Sequence, residues 1–250
     1  MTFPYLITLG PCTWHAHGLL EAVAYALGLA VYRGQRRRLD DRLDDLTRWR
    51  LLAAAAVGAL LGARLLAYAA DPAAVADLPW WQRPLAVKTI LGGLLGGTLA
   101  VEWLKRRLGL VQRTGDVYAL GLALAIAVGR LGCFLEGVGD HTAGVPCGAP
   151  WCLDQGDGIP RHPAALYEMA ACLLIAARLR WWPGLAWQQG DRYRWFLLAY
   201  AAARFAIEFV KPYPRWAGLT LYQWAGLALW VAWWPDARRL FLSPNERIHG

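Results

Sequence analysis

Charged residues are scarce in this sequence, and its cysteines form no recognisable motif. Asp, Glu, Lys and Arg make up 18% of the 250 residues, whereas soluble domains carry about 25%. The five cysteines include no Cys-x-x-Cys pair, a spacing typical of metal and redox motifs. Cys147 and Cys152 lie close enough along the chain to form a disulfide in an oxidising compartment, and two free thiols are the equal alternative.

Other absences limit the class of protein further. The N-terminal segment MTFPYLITLGPC has no basic residues before its apolar ones, so we expect no cleavable signal peptide. The sequence shows no repeat with a period of about 20–50 residues. It also has no stripe of aromatic and basic residues suited to single-stranded nucleic acid. The absence of repeats, with the apolar segments described next, predicts one polytopic membrane domain over residues 1–250. The absence of an aromatic and basic stripe predicts no nucleic-acid partner.

Apolar residues, by contrast, are abundant and lie in long segments. They make up 57% of the sequence and include 15 Trp, a residue that favours membrane–water interfaces. A spanning helix needs about 20 mainly apolar residues. Seven segments approach that description: His15–Tyr32, Trp49–Tyr68, Lys88–Leu104, Val117–Leu135, Ala164–Trp181, Tyr193–Val210 and Gly218–Trp234. The sequence therefore predicts an all-α integral membrane protein with about seven transmembrane helices.

The positions of Lys and Arg predict the orientation of these helices. Seventeen Lys and Arg residues lie on one side of the predicted membrane and four lie on the other. Cytoplasmic loops carry the excess of basic residues, so we expect the N-terminus in the periplasm and the C-terminus in the cytoplasm. The net charge of +8 then reflects membrane orientation rather than nucleic-acid binding.

Charged side chains also occur inside the predicted spans, where they are costly and usually functional. Arg130 lies in the fourth span, with Glu136 near its outer end. The sixth span carries Arg204 and Glu208, which are four residues apart and therefore share one helix face. Structural ion pairs within each span, Arg130 with Glu136 and Arg204 with Glu208, are the alternative interpretation.

The predicted topology brings polar groups from the first, fourth, fifth and sixth spans to the outer half of the membrane. Two guanidinium groups that converge at that depth suit a phosphate, because arginine presents a fork of donors to its oxygens. The accessible phosphate there belongs to a phospholipid headgroup. His162, Tyr167 and Glu168, at the start of the fifth span, would supply proton transfer or orientation. Glycines such as Gly129 would let the backbone approach the headgroup closely.

The residues that suggest a phosphate site lie in three segments, GRLGCFLEG at 129–137, PRHPAALYE at 160–168 and ARFAIEFVKP at 203–212. In order and spacing, these segments resemble the prolipoprotein diacylglyceryl transferase family, and so does the layout of seven spans. The resemblance implies an enzyme of the bacterial inner membrane whose active site faces the periplasm. Its substrates would be phosphatidylglycerol and the lipobox cysteine of a preprolipoprotein signal peptide, with glycerol phosphate as the leaving group. Neither a metal nor a soluble cofactor is implied.

The resemblance also implies roles for individual residues. Arg130 and Arg204 would bind the phosphate and stabilise the leaving group, and Glu208 would orient Arg204. With His162, these are the expected catalytic residues, and Arg161, His162, Tyr167 and Glu168 would line the mouth of the site. The expected substrate-binding residues are His17, Gly129, Glu136, Asp140, His141, Arg161, Tyr167 and Glu168.

Several positions differ from the family's pattern. Cys133 and Glu136 stand where the family has Asn, Leu91 where it has His, and His17 where it has Tyr. With that histidine replaced, we hypothesise that His17 or His141 activates the acceptor thiol. Cys133 is either a reactive thiol or a packing residue, and a buried cysteine usually packs. The alternatives are a divergent paralogue with another acceptor or lipid donor, a non-catalytic phospholipid-binding protein and a small transporter.

Overall fold

A computed structural model describes residues 2–39, 41, 43–140, 142–181 and 188–242, and these residues are mostly helical. The helices are α1 Ala16–Arg38, α2 Asp45–Ala70, α3 Arg83–Ala86, α4 Ile90–Arg107, α5 Asp116–Glu136, α6 Ala164–Trp181, α7 Asp191–Ile207, α8 Leu221–Ala232 and α9 Trp234–Ala237. Single 3₁₀ turns follow α5 at Gly137–Asp140 and α7 at Glu208–Val210. The prediction that the seven apolar segments are helical is confirmed, because each coincides with one of the longer helices.

Within the described residues, one short antiparallel hairpin precedes α1 and two others connect helices, and none of the three is predicted from the sequence. Their strands are β1 Leu6–Leu9 with β2 Cys12–His15, β3 Leu153–Asp154 with β4 Pro160–Arg161, and β5 Arg215–Trp216 with β6 Leu219–Thr220. Gly10 and Gly218 have φ values of 60° and 82° in two of the turns, which glycine adopts without the steric penalty of a Cβ. The segments are too short, and too poor in alternating residues, for a sequence pattern to reveal them.

The long helices begin and end at residues suited to their termini. Asp44 precedes α2 and accepts a hydrogen bond at 2.9 Å from the backbone N–H of Thr47, which satisfies one of the free donors of the first turn. The last turns of α1 and α4 are basic, with Arg36–Arg38 and Lys105–Arg107. Cations there complement the negative end of the helix dipole.

One compact unit contains Met1–Asp40, Thr114–Pro212 and Leu229–Gly250. Within it α1 packs antiparallel against α5, and α5 also packs against α6 and α7. Small residues permit this close contact: a Cβ added at Gly132 would lie 3.3 Å from the backbone of His17. At the other end Tyr32 and Tyr118 stack with their ring centroids 4.8 Å apart. The pairing therefore places the first turn of α1 beside the last turn of α5.

A second compact unit contains Asp41–Arg113 and Tyr213–Ala228. Here α2 packs on α4 through glycines spaced four residues apart, Gly58 and Gly62 on α2 and Gly92 and Gly96 on α4. Such small-xxx-small patterns allow two helix backbones to approach closely in membranes. The prediction of a single domain stays a prediction.

Two of the described helical segments, Asp45–Ala70 and Asp116–Asp140, are long and apolar enough to cross a membrane. Most side chains of the first segment are not buried, and large residues such as Val57, Leu61 and Leu65 are exposed. Such a surface suits lipid better than water. The number of spans and their orientation stay predictions.

Candidate active site

A buried carboxylate lies between two arginines at the centre of the first unit. Glu168 on α6 has one oxygen, Oε1, 2.9 Å from Nη2 of Arg130 on α5. Its other oxygen, Oε2, lies 3.1 Å from Nη1 of Arg204 on α7. The hydroxyl of Tyr200 donates a hydrogen bond to Oε1 at 2.5 Å. All four side chains are buried, so three helices hold two guanidinium groups at a fixed spacing away from water.

The same helix face of α7 extends this group of residues. Tyr200, Arg204 and Glu208 follow at intervals of four, and Glu208 Oε2 lies 2.9 Å from Arg204 Nη2. The predicted pairing of Arg204 with Glu208 is confirmed. Lys211, just beyond the 3₁₀ turn, is also buried and interacts electrostatically with Arg204 and with the carboxylates. We call Arg130, Glu168, Tyr200, Arg204, Glu208 and Lys211 the arginine cluster.

The composition of the arginine cluster favours an anion. It contains three basic side chains and two carboxylates, so its net charge is +1 when all five groups are ionised. The Nε–H of Arg130 is buried and donates to no acceptor among the described residues. A buried donor without a partner is costly, and a phosphate oxygen is a suitable acceptor for it. The cluster can therefore bind an anionic group and stabilise negative charge on it.

Local packing explains why Glu168 lies inside the protein. Pro163 immediately precedes α6, and Ala164 and Ala165 in its first turn are completely buried. Their small side chains let the start of α6 come close to its neighbours, so the carboxylate one turn later reaches both arginines. Glu168 was expected at the mouth of the site, and that placement is wrong.

His162 and Tyr167 contact each other at the start of α6. Nδ1 of His162 lies 3.1 Å from the Tyr167 hydroxyl, and both side chains are partly accessible. The backbone carbonyl of His162 accepts a hydrogen bond from Gly144 N–H at 2.9 Å. This pairing anchors the connection after α5 next to the first turn of α6. Both side chains therefore remain partly accessible from outside the protein.

Arg161 is held by a local ion pair. Its Nε and Nη2 contact Asp157 Oδ2 at 2.8 and 2.6 Å, within the loop that joins β3 to β4. The hydrogen bond from Arg161 holds the pKa of Asp157 below its ordinary value. Of the two alternatives for Cys147 and Cys152, a disulfide or two free thiols, the structure has the disulfide. It lies in the segment between α5 and α6, and the two Cα atoms are 6.0 Å apart.

Glu136 contacts a histidine and not the expected arginine. Its Oε1 lies 3.1 Å from Nδ1 of His15 on β2. Glu136 follows Arg130 by six residues, which is about 240° around a helix, so the two side chains point to different faces. The alternative interpretation, a structural pair of Arg130 with Glu136, is therefore wrong: Arg130 contacts Glu168, and Glu136 contacts His15 of the β1–β2 hairpin.

A second group of polar residues lies where α1 meets the end of α5. His17 Nδ1 is 3.7 Å from Asp140 Oδ1, and Cys133 Sγ accepts a long hydrogen bond from Arg130 Nη1 at 3.6 Å. The nearest ligand atoms of these three residues lie within 4.8 Å of one another. The donor set of His17, Cys133 and Asp140 is one of two groups among the described residues that could hold a metal.

Two further predicted site residues remain. Gly129 is partly accessible, and no heavy atom outside its own helix turn lies within 4 Å of a Cβ added there. It therefore leaves open space one residue before Arg130. His141 lies outside the described residues.

Sequence reasoning missed two members of the arginine cluster, Tyr200 and Lys211. Tyr200 lies four residues before Arg204, just as Glu208 lies four residues after it. The same helical spacing therefore predicts that Tyr200 shares the helix face of Arg204 and Glu208. Lys211 follows the end of the helical segment, and no periodicity extends to it. In the charge count, Lys211 is one of the four basic residues expected on the outer side of the membrane.

Comparison with known proteins shows what the chain resembles. The family model described as prolipoprotein diacylglyceryl transferase matches residues 4–234. A phosphatidylglycerol–prolipoprotein diacylglyceryl transferase of Bordetella parapertussis is 30% identical over 92% of this chain and 92% of its own length. The proteins of the same name from Chromohalobacter salexigens and Nitratidesulfovibrio vulgaris are 31% and 29% identical, each over 88% of this chain, and over 84% and 85% of their own lengths.

Proposed function

The chain belongs to the prolipoprotein diacylglyceryl transferase family, a family of membrane transferases, and we propose that it transfers the diacylglyceryl group of phosphatidylglycerol to a lipobox cysteine. The acceptor would be the signal peptide of a preprolipoprotein, and glycerol phosphate would be released. The observation that supports this most is the convergence of Arg130 and Arg204 on one buried carboxylate.

The reaction needs stabilisation of a leaving phosphate. The acceptor sulfur attacks the glyceryl carbon, a C–S bond forms, and the C–O bond to phosphate breaks. The electron pair leaves with glycerol phosphate, where the charge of the phosphate rises. Guanidinium groups fixed in a site away from water stabilise such a charge without having to reorganise. In this proposal Arg130 and Arg204 bind the phosphate, and Glu208 and Glu168 hold their side chains in position.

The residues at the start of α6 have supporting roles in this proposal. His162 and Tyr167, in contact at 3.1 Å, are suited to orient the headgroup or to move a proton. Gly129 leaves room for the substrate next to Arg130. Arg161 and Glu136 would contact the substrate only after exchanging their present partners, Asp157 and His15.

We also propose that seven helices cross the bacterial inner membrane, with the N-terminus in the periplasm and the C-terminus in the cytoplasm. The unequal distribution of Lys and Arg, seventeen against four, supports this orientation. With this topology the arginine cluster, the end of α5 and the start of α6 lie in the outer half of the membrane. That is the side on which an exported signal peptide presents its cysteine.

The test uses the purified full-length protein in phosphatidylglycerol vesicles with a lipobox peptide. Release of glycerol phosphate and a gain of one diacylglyceryl group in the peptide mass are measured together. We expect both signals from the wild type, and a loss of at least about 100-fold in Arg204→Ala, because removal of one oxyanion-type donor costs that much. Arg106→Ala is the matched control, since Arg106 lies in the basic last turn of α4 outside the site.

The outcomes separate the alternatives. Unchanged turnover in both Arg130→Ala and Arg204→Ala would refute the site. Release of glycerol phosphate without a change in the peptide would keep the donor and replace the acceptor by another molecule or water. Transfer to another acceptor is favoured by one observation: Leu91, Cys133, Glu136 and His17 differ from the pattern that the family resemblance implies.

A further inference from the structure

Three residues beside the arginine cluster bring together a thiol, an imidazole and a carboxylate. They are Cys133 near the end of α5, His17 in the first turn of α1, and Asp140 in the 3₁₀ turn after α5. We propose that these three side chains bind one Zn²⁺ ion and leave its fourth position open for the acceptor thiol. The proposal deepens the proposed function and rests on it for the identity of that thiol.

The distance between His17 and Asp140 suits two ligands of a tetrahedral ion. Zinc bonds of about 2.0–2.3 Å to N, O and S separate neighbouring ligand atoms by roughly 3.3–3.8 Å. His17 Nδ1 and Asp140 Oδ1 are 3.7 Å apart, and the ligand atoms of all three residues lie within 4.8 Å of one another. The distance of 3.7 Å is too long for a hydrogen bond. A hydrogen-bonded His–Asp base is therefore not formed, whereas the spacing of two zinc ligands is.

The hydrogen-bonding state of these side chains points to a missing ligand. His17 Nδ1 and Asp140 Oδ2 are buried, and neither makes a hydrogen bond within the described part of the chain. Buried polar atoms without a partner are rare and costly. A cation bound by His17 Nδ1 and by the carboxylate of Asp140 would satisfy both groups. The two negative charges of a Cys133 thiolate and an Asp140 carboxylate would neutralise a divalent ion.

The surroundings also match those of a metal site. The other ring nitrogen of His17, Nε2, lies 3.9 Å from Glu21 Oε2, which is an ion-pair distance and longer than a hydrogen bond. Gly132 lets α1 approach α5 closely enough to bring His17 beside Cys133. A mixed N, O and S donor set with three protein ligands is typical of zinc sites that keep one position for a substrate.

An open zinc position beside Arg130 explains how a thiol is activated here. A thiol that coordinates zinc loses its proton, in this case to water at the outer face. The resulting thiolate is the nucleophile that attacks the glyceryl carbon. Arg130 Nη1 lies 3.6 Å from Cys133 Sγ, so the phosphate-binding arginine would directly contact one ligand of the proposed ion. Two of the four positions that depart from the family's pattern, His17 and Cys133, would together replace its thiol-activating histidine.

A second group with similar chemistry is less suitable. Cys147, Cys152 and His162 also lie within range of a common ion, but the two sulfurs are joined in a disulfide. A disulfide has no thiolate to offer a metal.

The test measures zinc in the full-length protein purified in detergent, stripped with a chelator, loaded with Zn²⁺ and dialysed. We expect about one zinc per chain in the wild type and in the control Cys12→Ser, whose cysteine is exposed on β2. Cys133→Ala and Asp140→Asn should lose the ion, since even changes outside the ligand shell cost about 10–100-fold in metal affinity. No retained zinc in the wild type, or equal retention in Cys133→Ala, would overturn the proposal.

A second measurement does not depend on how the variants fold. Wild-type protein loaded with Co²⁺ should show a thiolate-to-metal charge-transfer absorption, and a lipobox peptide should alter it while the Cys-to-Ser peptide should not. A cobalt spectrum without the thiolate band overturns the site, and indifference to the peptide overturns the open position.

Glycerol phosphate release from the same samples separates this inference from the proposed function. Full-rate transfer by metal-free protein overturns zinc as the thiol activator while the transferase function stands. Zinc bound through Cys133, with no transfer in loaded or metal-free protein, supports the site and refutes the transferase function.

Discussion

The bridging role of Glu168 predicts a large effect from a small change. Glu168→Gln keeps the shape of the side chain and removes its charge between Arg130 and Arg204. Removal of one partner from a buried ion pair costs about 3–5 kcal/mol. Arg204 retains Glu208 at 2.9 Å, so the loss of a carboxylate falls mainly on Arg130. We therefore expect a decrease in unfolding free energy near the lower limit, about 3 kcal/mol.

The assay is thermal unfolding in detergent, followed by the fluorescence of the 15 tryptophans. A loss of 3 kcal/mol corresponds to a fall in Tm of roughly 6–12 °C for a chain of this size. The matched control is Glu102→Gln. Glu102 pairs with Lys105 at 2.8 Å, but it is half exposed, and such pairs contribute about 0–1 kcal/mol.

The same variant tests whether the arginines bind phosphate. With Glu168 neutral, an anion has less competition for the guanidinium of Arg130. Added phosphatidylglycerol should therefore raise the Tm of Glu168→Gln more than that of the wild type. A ligand at 100 times its Kd stabilises the folded protein by about 2.7 kcal/mol, which is the largest gain we expect for the variant at that concentration. If the Tm of Glu168→Gln is no lower than that of Glu102→Gln, Glu168 does not stabilise the protein as a buried ion-pair partner of Arg130 and Arg204. The inference that the two arginines are held in position before a phosphate binds is then refuted.

Two further predictions concern the scaffold. The disulfide between Cys147 and Cys152 predicts that alkylation without reduction leaves both residues unlabelled, and that reduction adds two hydrogens to the intact mass. Gly96→Ala should destabilise the packing of α2 on α4, because its Cβ would overlap the Gly58 carbonyl oxygen, whereas a Cβ at Gly93 meets only ordinary contacts at 3.6 Å and beyond. Thermal unfolding should therefore show a lower Tm for Gly96→Ala and no decrease for Gly93→Ala, and equal Tm values would contradict the close packing.

The helices and part of the candidate site were predictable because their signals are local. Seven apolar segments identify seven helices, and the interval of four residues between Arg204 and Glu208 places both on one face. A buried charge such as Arg130 is conspicuous in an apolar segment because it is costly there. Each of these inferences needs only the period of a helix and the composition of one segment.

The partners of these residues depend on tertiary packing, and the sequence does not determine them locally. Glu168 was expected at the mouth of the site, yet the close approach of Ala164 and Ala165 carries it into the arginine cluster. Glu136 contacts His15 because a short hairpin before α1 brings that histidine over the end of α5. No periodicity within either segment contains this information.

The arrangement around Arg130 links the two halves of the proposed reaction. One end of its guanidinium, Nη2, contacts Glu168, and the other, Nη1, contacts Cys133. A phosphate that draws Arg130 away from Glu168 would thus also change the environment of the Cys133 sulfur. In the proposed reaction, the acceptor thiol bonds to the glyceryl carbon of the donor lipid while the phosphate leaves that carbon. Because Arg130 contacts both Glu168 and Cys133, binding of the donor phosphate would be coupled to the place where the acceptor thiol is activated.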